Sequence, residues 1–389
     1  MARYAARLHA TVGDRHHVAS PLGAWLLLAL AAPASTGEDR ETLTDVLGCD
    51  VDAAAQAAAR LLADPHPLVA AAAAVWTAHD YTGTDDFRRW LAGVPTAVTT
   101  GDLPGQADLD CWAREHSFGL IDRFPLDTSL AFLVLATALA TKVSWQMPFQ
   151  ISAASSLGTD STWAGQLDRV LRTPTGPGAR GHEQFVASTP DVRDVIVHAA
   201  TAVGGLLVVS VAALPDVRAE RVLALAYDLG GRLATDRRVE RRGLADLPVG
   251  EGALWAVSEV LAESDSCSAV LPAWSASSEH DLTNPVLGFP AAKRGLVPGP
   301  APWEARQAAM ARYSRTGFEA AAVSAMAIAL GAHIPAQHRH AELRFGHPYG
   351  VVAVVQDDRS PWHGLPVFSA WVTEPEDAND DEPAPIRPL

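Results

Sequence analysis

The sequence predicts an α+β protein, because helical patterns fill the first hundred residues and strand patterns become frequent from residue 190 onward. Hydrophobic residues make up 48% of the 389 residues, which is ample material for a packed core. The length suggests two or three domains and also agrees with one large mixed domain. No internal repeat is evident.

Four helices are predicted near the start of the chain and a fifth further on. The second has the clearest beginning, because Ser20 is a good N-cap and Pro21 suits the first helical position. The almost wholly apolar run 130–143 is interpreted as either a buried strand or a buried helix. The five helices are predicted over residues 4–12, 22–32, 40–47, 51–62 and 109–121.

Three short strands are predicted in the second half, over residues 195–197, 206–211 and 268–274, because these runs are apolar and bounded by turn residues. Gly204-Gly205 indicates a hairpin turn between the first two. Residues 298–302 form a Pro/Gly-rich loop, and residues 376–389 an acidic, proline-containing tail that is expected to be flexible.

The charge balance and the cysteines exclude several classes of protein. Thirty Lys and Arg face 45 Asp and Glu, so the net charge of -15 argues against nucleic acid or a membrane as partner. Cys49, Cys111 and Cys267 are far apart, which favours free thiols over disulfides or zinc. Without an apolar signal core at its start, the chain is expected to be cytoplasmic. It is also expected to be a monomer.

No motif in the sequence indicates catalysis or a cofactor. A Gly-x-Ser-x-Gly elbow, a His-Glu-x-x-His motif and a phosphate loop are all missing. His333, His338 and His340 lie close together, but no carboxylate or cysteine joins them at a ligand spacing, so an exposed loop is favoured over a metal site. His16-His17 is a weaker candidate still. No catalytic residue, metal or cofactor is predicted.

Residues 315–331 carry two conflicting signals. Their residue types have high helix propensity, whereas from Ser324 large and small side chains alternate with the period of a strand. A buried alanine-rich helix is the plain interpretation. The alternative is a segment that can adopt two conformations, which is unusual because local propensity and hydrophobic pattern normally agree.

Motifs along the whole chain resemble those of the serpins, in the order in which that family has them. The match begins at the second helix and is most specific near the C-terminal end. The residues that carry it are Ser20-Pro21-Leu22; Leu109-Asp110-Cys111-Trp112 with Gly119 and Ile121; Leu133-Val134-Leu135 with Lys142, Trp145, Pro148 and Phe149; Val270-Leu271-Pro272-Ala273-Trp274 with Asp281-Leu282 and Leu287-Gly288; Phe345-Gly346-His347-Pro348-Tyr349; and Val367-Phe368 with Val372 and Pro375.

The resemblance implies one serpin domain over residues 1–375, with a large central sheet A, sheets B and C, about eight or nine helices and an exposed reactive-centre loop at about 315–342. It also implies inhibition by a suicide-substrate route. A serine or cysteine endopeptidase cuts the loop and forms an acyl-enzyme, and the cut loop then inserts into the central sheet and traps the protease covalently. By family resemblance, an extracellular location is the alternative to the cytoplasm.

The same resemblance assigns roles to the segment with conflicting signals. The hinge of the loop would be Gly317, Phe318, Glu319, Ala320, Ala321 and Ala322, and the core-facing side chains of the inserted strand would be Ser324, Met326, Ile328 and Leu330. The family's usual spacing puts the scissile bond between Gly331 and Ala332. Because the loop is longer than usual, Leu330 and Arg339 are alternative cleavage positions.

Departures from the family pattern define a second hypothesis. Phe318 stands where inhibitory serpins usually have a small residue, and it would be the first core-facing side chain to insert. If its bulk slows insertion, the loop is cut as a plain substrate, and the chain is a non-inhibitory binding or carrier protein. At the shutter and breach of the sheet, the family positions correspond to Ser20, Gly23, Thr137, Trp145 and Gln307; Gly23, Thr137 and Gln307 differ from the usual residues, and Trp145 is retained.

Overall fold

The structure is a computed structural model that describes residues 1–79, 83–126, 132–175, 179–189, 192–297, 299, 303–318 and 336–379. Within these ranges there are eight α-helices and nineteen strands. The helices are α1 (Ala2–Val12), α2 (Pro21–Ala31), α3 (Gly37–Leu47), α4 (Val51–Ala63), α5 (Asp85–Ala92), α6 (Gln106–Glu115), α7 (Ala219–Ala234) and α8 (Phe289–Leu296). None of the helices described is long and apolar enough to cross a membrane.

The strands form four groups. They are β1 (His17–Ala19), β2 (Val69–Thr77), β3 (Thr99–Asp102), β4 (Leu133–Thr141), β5 (Val143–Ser144), β6 (Gln150–Ala153), β7 (Arg169–Arg172), β8 (His182–Thr189), β9 (Arg193–Ala202), β10 (Leu206–Ala212), β11 (Gly250–Glu251), β12 (Trp255–Ala262), β13 (Ser266–Leu271), β14 (Trp274–Asp281), β15 (Arg306–Tyr313), β16 (Gly317–Phe318), β17 (Ala336–Arg344), β18 (Tyr349–Val355) and β19 (Pro366–Val372).

The central sheet is divided into two parts. One part has the order β14-β15-β16-β5 and the other the order β3-β2-β4. The two are joined through the chain, because β5 follows β4 with only Lys142 between them. A six-stranded sheet, called sheet B, has the order β1-β19-β18-β10-β9-β8, and a second, called sheet C, has the order β11-β12-β17-β13-β7-β6.

The hydrophobic core lies where α2 packs against the central sheet and sheet B. Every residue of α2 is buried, which explains why its sequence is apolar all round. Strand β18 is likewise buried throughout, between β10 and β19.

The sequence predicted the first helices and the hairpin well. The apolar run 130–143 contains β4, a strand that pairs antiparallel with β2, and Gly204 and Gly205 connect β9 and β10 with φ values of +94° and +97°. The fifth helix is shorter than predicted, since α6 begins at Gln106 and ends at Glu115. Pro272 separates β13 from β14, where one strand over 268–274 was predicted.

Two boundaries that were predicted for the second half of the chain, the end of the reactive loop and the start of the flexible tail, are wrong. The reactive loop was predicted to extend to residue 342, but Ala336–Arg344 form β17, because residues 336–343 pair with β12 and residues 340–344 pair with β13. The flexible tail was predicted from residue 376. Instead, Glu376 pairs with Ala273, the Asp377 carboxylate accepts hydrogen bonds from the backbone of residues 168 and 169, and Ala378 is fully buried.

Candidate functional site: the hinge and the central cleft

The chain leaves β15 through a tight turn that is fixed from two sides. The backbone N–H of Ser314 donates to the carbonyl of Gly317 at 2.9 Å, which closes the turn. The indole N–H of Trp145 donates to the Ser314 carbonyl at 3.0 Å, and the backbone N–H of Trp145 donates to the Thr316 carbonyl at 3.1 Å. Trp145, the breach residue predicted from the sequence, therefore fixes the position at which the hinge begins.

Strand β16 lies between β15 and β5 and pairs antiparallel with both. Phe318 is opposite Tyr313 on one side and Val143 on the other, and Gly317 is opposite Ser144. The Phe318 side chain is only 3% exposed, and its ring lies edge-on to the Trp274 ring at a centroid distance of 6.2 Å. The first hinge residues are thus already a short strand of the central sheet, and a pocket accommodates the bulk of Phe318.

Two histidines lie below this pocket. The His198 Nδ1 atom is 3.5 Å from the Tyr313 hydroxyl, and its Nε2 atom is 3.1 Å from His182 Nδ1. Burial lowers the pKa of His182 to about 4 and holds the pKa of His198 well below its usual range. Both rings are therefore neutral at pH 7, and the hydrogen bond between them needs one protonated and one bare ring nitrogen. No sequence spacing indicated this pair, since the strands bring together residues that are 16 positions apart.

Below β16 the two parts of the central sheet separate around a narrow cleft of about 40 Å³, called here the central cleft. Among the described residues, β4 pairs on one side only, with β2, and β15 pairs beyond Tyr313 only with β14. The edges that face the cleft come from residues 135–138 of β4 and 306–308 of β15, and Trp112 and Ala113 of α6 also line it. Two strand edges with no ladder between them can accept one more strand.

The shutter residues connect this cleft to the start of α2. The Gln307 side chain accepts from the backbone N–H of Ser20 at 3.0 Å and donates to the Ser20 carbonyl at 2.8 Å. The Thr137 hydroxyl donates to the Gly23 carbonyl at 3.0 Å. Ser20 caps the helix, with its Oγ 3.2 Å from the backbone N–H of Gly23. All four predicted shutter residues therefore meet in one hydrogen-bonded cluster.

The substituted residues fit one another at this position. A Cβ on Gly23 would lie 3.1 Å from Ser20 Oγ, which is a tight contact, and 3.5 Å from Gln307 Nε2, which is an ordinary van der Waals contact, so a larger residue would crowd the capping hydroxyl of Ser20. Gln307 supplies both a donor and an acceptor, which lets one side chain satisfy both backbone groups of Ser20. The three departures from the family pattern therefore form an alternative set of partners.

We expect Gln307→Ala to destabilise the native protein by about 1–3 kcal/mol, because the Ser20 N–H loses its acceptor and the Ser20 carbonyl keeps only the hydrogen bond from the Ala24 N–H. Urea unfolding of the purified variant measures this. Arg306→Ala on the same strand is the matched control, since Arg306 is exposed and pairs only with Glu304 in the contacts described. Equal midpoints for the two variants would contradict the shutter assignment.

The remaining residues that were predicted for the loop, the cleavage site and a metal site fall into two groups. Some lie outside the described residues, and the others lie in β17 and make structural contacts there. Glu319, Ala320, Ala321, Ala322, Ser324, Met326, Ile328, Leu330, Gly331, Ala332 and His333 lie outside the described residues. Arg339 lies in the middle of β17 with a paired backbone, so the alternative cleavage site at Arg339 is wrong. His338 contacts Asp265, and His340 hydrogen-bonds with Ser266 and Ser268. The described residues contain no cluster of His, Cys, Asp or Glu that could hold a metal ion.

Solved serpin structures are similar to the chain over nearly its whole length. Human thyroxine-binding globulin in complex with thyroxine has a TM-score of 0.65 and 13% identity, with 97% of each chain covered. Tengpin, a thermophilic serpin in its native state, has a TM-score of 0.63 and 14% identity, covering 96% of this chain and 92% of that one. Serpin48 of the insect Tenebrio molitor, described as highly specific, has a TM-score of 0.59 and 15% identity, covering 96% and 97%.

No family model matches the sequence, and neither does any curated protein. The structural matches nevertheless cover nearly the whole chain, so the α+β class is confirmed and the chain has the serpin fold.

Proposed function

We propose that this chain is a protease inhibitor that acts as a suicide substrate. One observation carries the proposal: Gly317 and Phe318 form a strand between β15 and β5, directly above a cleft whose two edges have no partner strand on the cleft side among the described residues. A loop that continues in the same direction would enter that cleft. The neighbours in structure include serpins and a hormone-binding globulin, so the fold alone does not decide between inhibitor and carrier.

Extending the observed register locates the rest of the loop after insertion. Phe318 is opposite Tyr313 on β15 and Val143 on β5, and both pairings are antiparallel. Each following loop residue would therefore be opposite a residue one position earlier on β15, and one position earlier on β5 and then β4. Ser324, six positions on, would lie between Gln307 and Thr137. Its side chain would share the buried face of Phe318, since side chains on a strand alternate with a period of two.

The same register explains the residue types in the hinge. Ala320 and Ala322 would lie beside the buried Ala311 and Ala309 of β15, where there is little room for a larger side chain. Met326, Ile328 and Leu330 would then continue the buried face, and Ala325, Ala327 and Ala329 would face the opposite side, towards α6. The strand periodicity of residues 324–330 would therefore match one face of the central sheet.

The proposed reaction begins as ordinary proteolysis. The nucleophile of the protease attacks the carbonyl carbon of Gly331, the peptide bond to Ala332 breaks, and the new amine leaves with the C-terminal segment. The N-terminal segment remains attached to the protease as an acyl ester or thioester. Insertion of residues 319–330 then carries the protease away from the breach before water releases it. Cleavage after Gly331 suits an elastase- or subtilisin-like enzyme, and cleavage after Leu330 one that prefers aliphatic residues.

The buried pocket of Phe318 leads to a specific expectation about the hinge. Because Phe318 already lies between β15 and β5, its bulk has no barrier left to cross, and Phe318→Thr should not increase the inhibitory yield. It should instead destabilise the native protein by roughly 2–4 kcal/mol, because it empties an aromatic pocket. Thermal unfolding and the number of inhibitor molecules consumed per protease measure both effects.

Phe118→Asn is the control, since Phe118 is 44% exposed and distant in sequence from the hinge, and Asn tolerates its φ of +54° better than a β-branched residue does. A clear rise in inhibitory yield for Phe318→Thr would mean that the bulky residue does slow insertion.

Mixing the purified chain with a panel of serine and cysteine proteases tests the function itself. An SDS-stable complex with at least one enzyme is the result we expect. Clean loop cleavage by every enzyme that cuts it, with no complex formed, would overturn inhibition and leave a cleavable binding or carrier protein. Inactivated protease provides the control for non-covalent association.

A further inference from the structure

Strand β17, which directly follows the proposed reactive loop, is an interior strand of sheet C. On one side it pairs antiparallel with β12 over its whole length, from Ala336 opposite Ala262 to Leu343 opposite Trp255. On the other side it pairs parallel with β13, from His340 opposite Ser266 to Arg344 opposite Val270. The strand therefore cannot leave the sheet without breaking a ladder on each side.

Side chains attach β17 to the surrounding loops as well. The Arg339 guanidinium donates to the carbonyls of Leu244, Ala245 and Leu247 at 3.1, 2.7 and 3.1 Å. The Arg339 backbone N–H donates to the Asp265 carboxylate at 2.8 Å, at the turn that joins β12 to β13. Ion pairs add to this attachment at the other end of the strand, where Glu342 contacts Arg172 and Arg344 contacts Glu251.

The chain connectivity limits how far an uncut loop could insert. Leu330 lies twelve residues beyond Phe318, so its place in the central cleft would be about 40 Å from Phe318 along the strand. The six steps from Leu330 to Ala336 span at most about 22 Å. Sheet C meets the central sheet at the Phe318 end, because β13 leads into Trp274, which pairs with Tyr313. An uncut loop could therefore insert fully only if β17 left its sheet.

We propose that β12 acts as a lock on the reactive loop: by making β17 an interior strand, it prevents the uncut loop from inserting into the central cleft. This inference rests on the proposed function and adds the order of events to it. Without β12, β17 would be an edge strand held by β13 alone and could separate by breaking one ladder. With β12 in place, insertion waits for a protease, and the uncut chain keeps its inhibitory form.

Prolonged warming of the uncut protein tests the lock. The purified chain is held for a day about 10 °C below its Tm, then examined by thermal melting, by resistance to loop cleavage and by intact mass. We expect no detectable conversion to a more stable, uncleavable form. A substantial fraction of converted protein with an intact chain would overturn the lock.

Protein cut in the loop shows separately whether insertion occurs. If the cut protein gains stability and the uncut protein does not convert, the lock is supported. If both reach the stable form, the lock alone fails. If the cut protein gains no stability, the loop does not insert, and the lock fails together with the proposed function.

On warming, the Arg339→Gln variant should convert to the stable, uncleavable form at least about tenfold faster than the wild type. The reason is that the substitution removes hydrogen bonds from a charged donor to three carbonyls. Arg232→Gln is the matched control, since Arg232 forms an exposed ion pair with Asp228 on α7. An Arg339→Gln rate equal to that of the control would contradict the lock.

Hydrogen–deuterium exchange of the wild type gives a measurement that does not depend on whether Arg339→Gln folds. Amides of residues 338–343 should exchange as slowly as those of β18. Exchange of these amides within seconds would also overturn the lock.

Discussion

A single cut after Gly331 is expected to raise the Tm of the protein by at least about 10 °C, although it breaks a covalent bond. The reason is that the central cleft offers two strand edges, on β4 and β15, that have no ladder with each other in the described structure. An inserted strand would bond to both edges, at roughly 0.5–1.5 kcal/mol net for each hydrogen bond. Burial of Met326, Ile328 and Leu330 would add about 1.5–3 kcal/mol for each side chain.

Thermal melting of the cut and uncut protein measures this rise. The cut position is established by mass spectrometry, and uncut protein treated with inactivated protease is the control. An unchanged or lower Tm after a complete cut at residue 330 or 331 would show that the loop does not enter the sheet. The metastability of the uncut chain would then have no structural basis.

Acid is expected to destabilise the native protein as the pH falls below about 6.5, by roughly 1 kcal/mol per pH unit for each buried histidine whose pKa is strongly lowered. His9, His17 and His198 are buried, and each is at most 3% exposed. Burial lowers the pKa of His9 to about 3 and of His17 to about 4, and it holds the pKa of His198 well below its usual range. In the unfolded chain each titrates near its ordinary pKa of about 6.5.

The direction of the change in stability with pH follows from these lowered pKa values in the folded state. Above about pH 6.5 the three rings are neutral in both states, so their contribution to stability is fully present. As the pH falls from about 6.5 towards 4, the unfolded chain binds protons that the folded chain does not, so stability is lost at no more than about 1.4 kcal/mol per histidine and pH unit.

Urea unfolding at about pH 7, 6 and 5 measures this dependence. His9→Gln should reduce the slope of stability against pH, whereas His79→Gln is the control and should leave it unchanged, because the His79 side chain is 86% exposed. A stability that stays flat between pH 6 and 5 would mean that these buried rings accept protons in the folded state.

Much of the fold could be predicted from local patterns. The cap at Ser20-Pro21 marked the start of α2, and the Gly204-Gly205 pair marked the β9–β10 hairpin, because both signals lie within a few residues of the structure they determine. The lock at β17 could not be predicted in this way. Strand β12 includes exposed Ser258 and Glu259, and its role depends on pairing with a strand about 80 positions further along the chain.

Part of the candidate site could likewise be predicted from the sequence, and part could not. The resemblance brought together Ser20, Gly23, Thr137 and Gln307, and the structure places them in one hydrogen-bonded cluster. The sequence left the effect of Phe318 open, because its bulk could be judged only against its neighbours. Trp274, Tyr313 and Val143 form those neighbours, and they come from three strands that meet only in the folded sheet.

The intact mass of a denatured protease complex tests the central claim most directly. We expect a species whose mass equals that of the protease plus the N-terminal part of this chain ending at Gly331 or Leu330, less one water, because an acyl ester or thioester joins them. The same mass would identify the cleaved bond. Recovery of only free protease and two cut fragments, from every enzyme that cuts the loop, would contradict suicide inhibition.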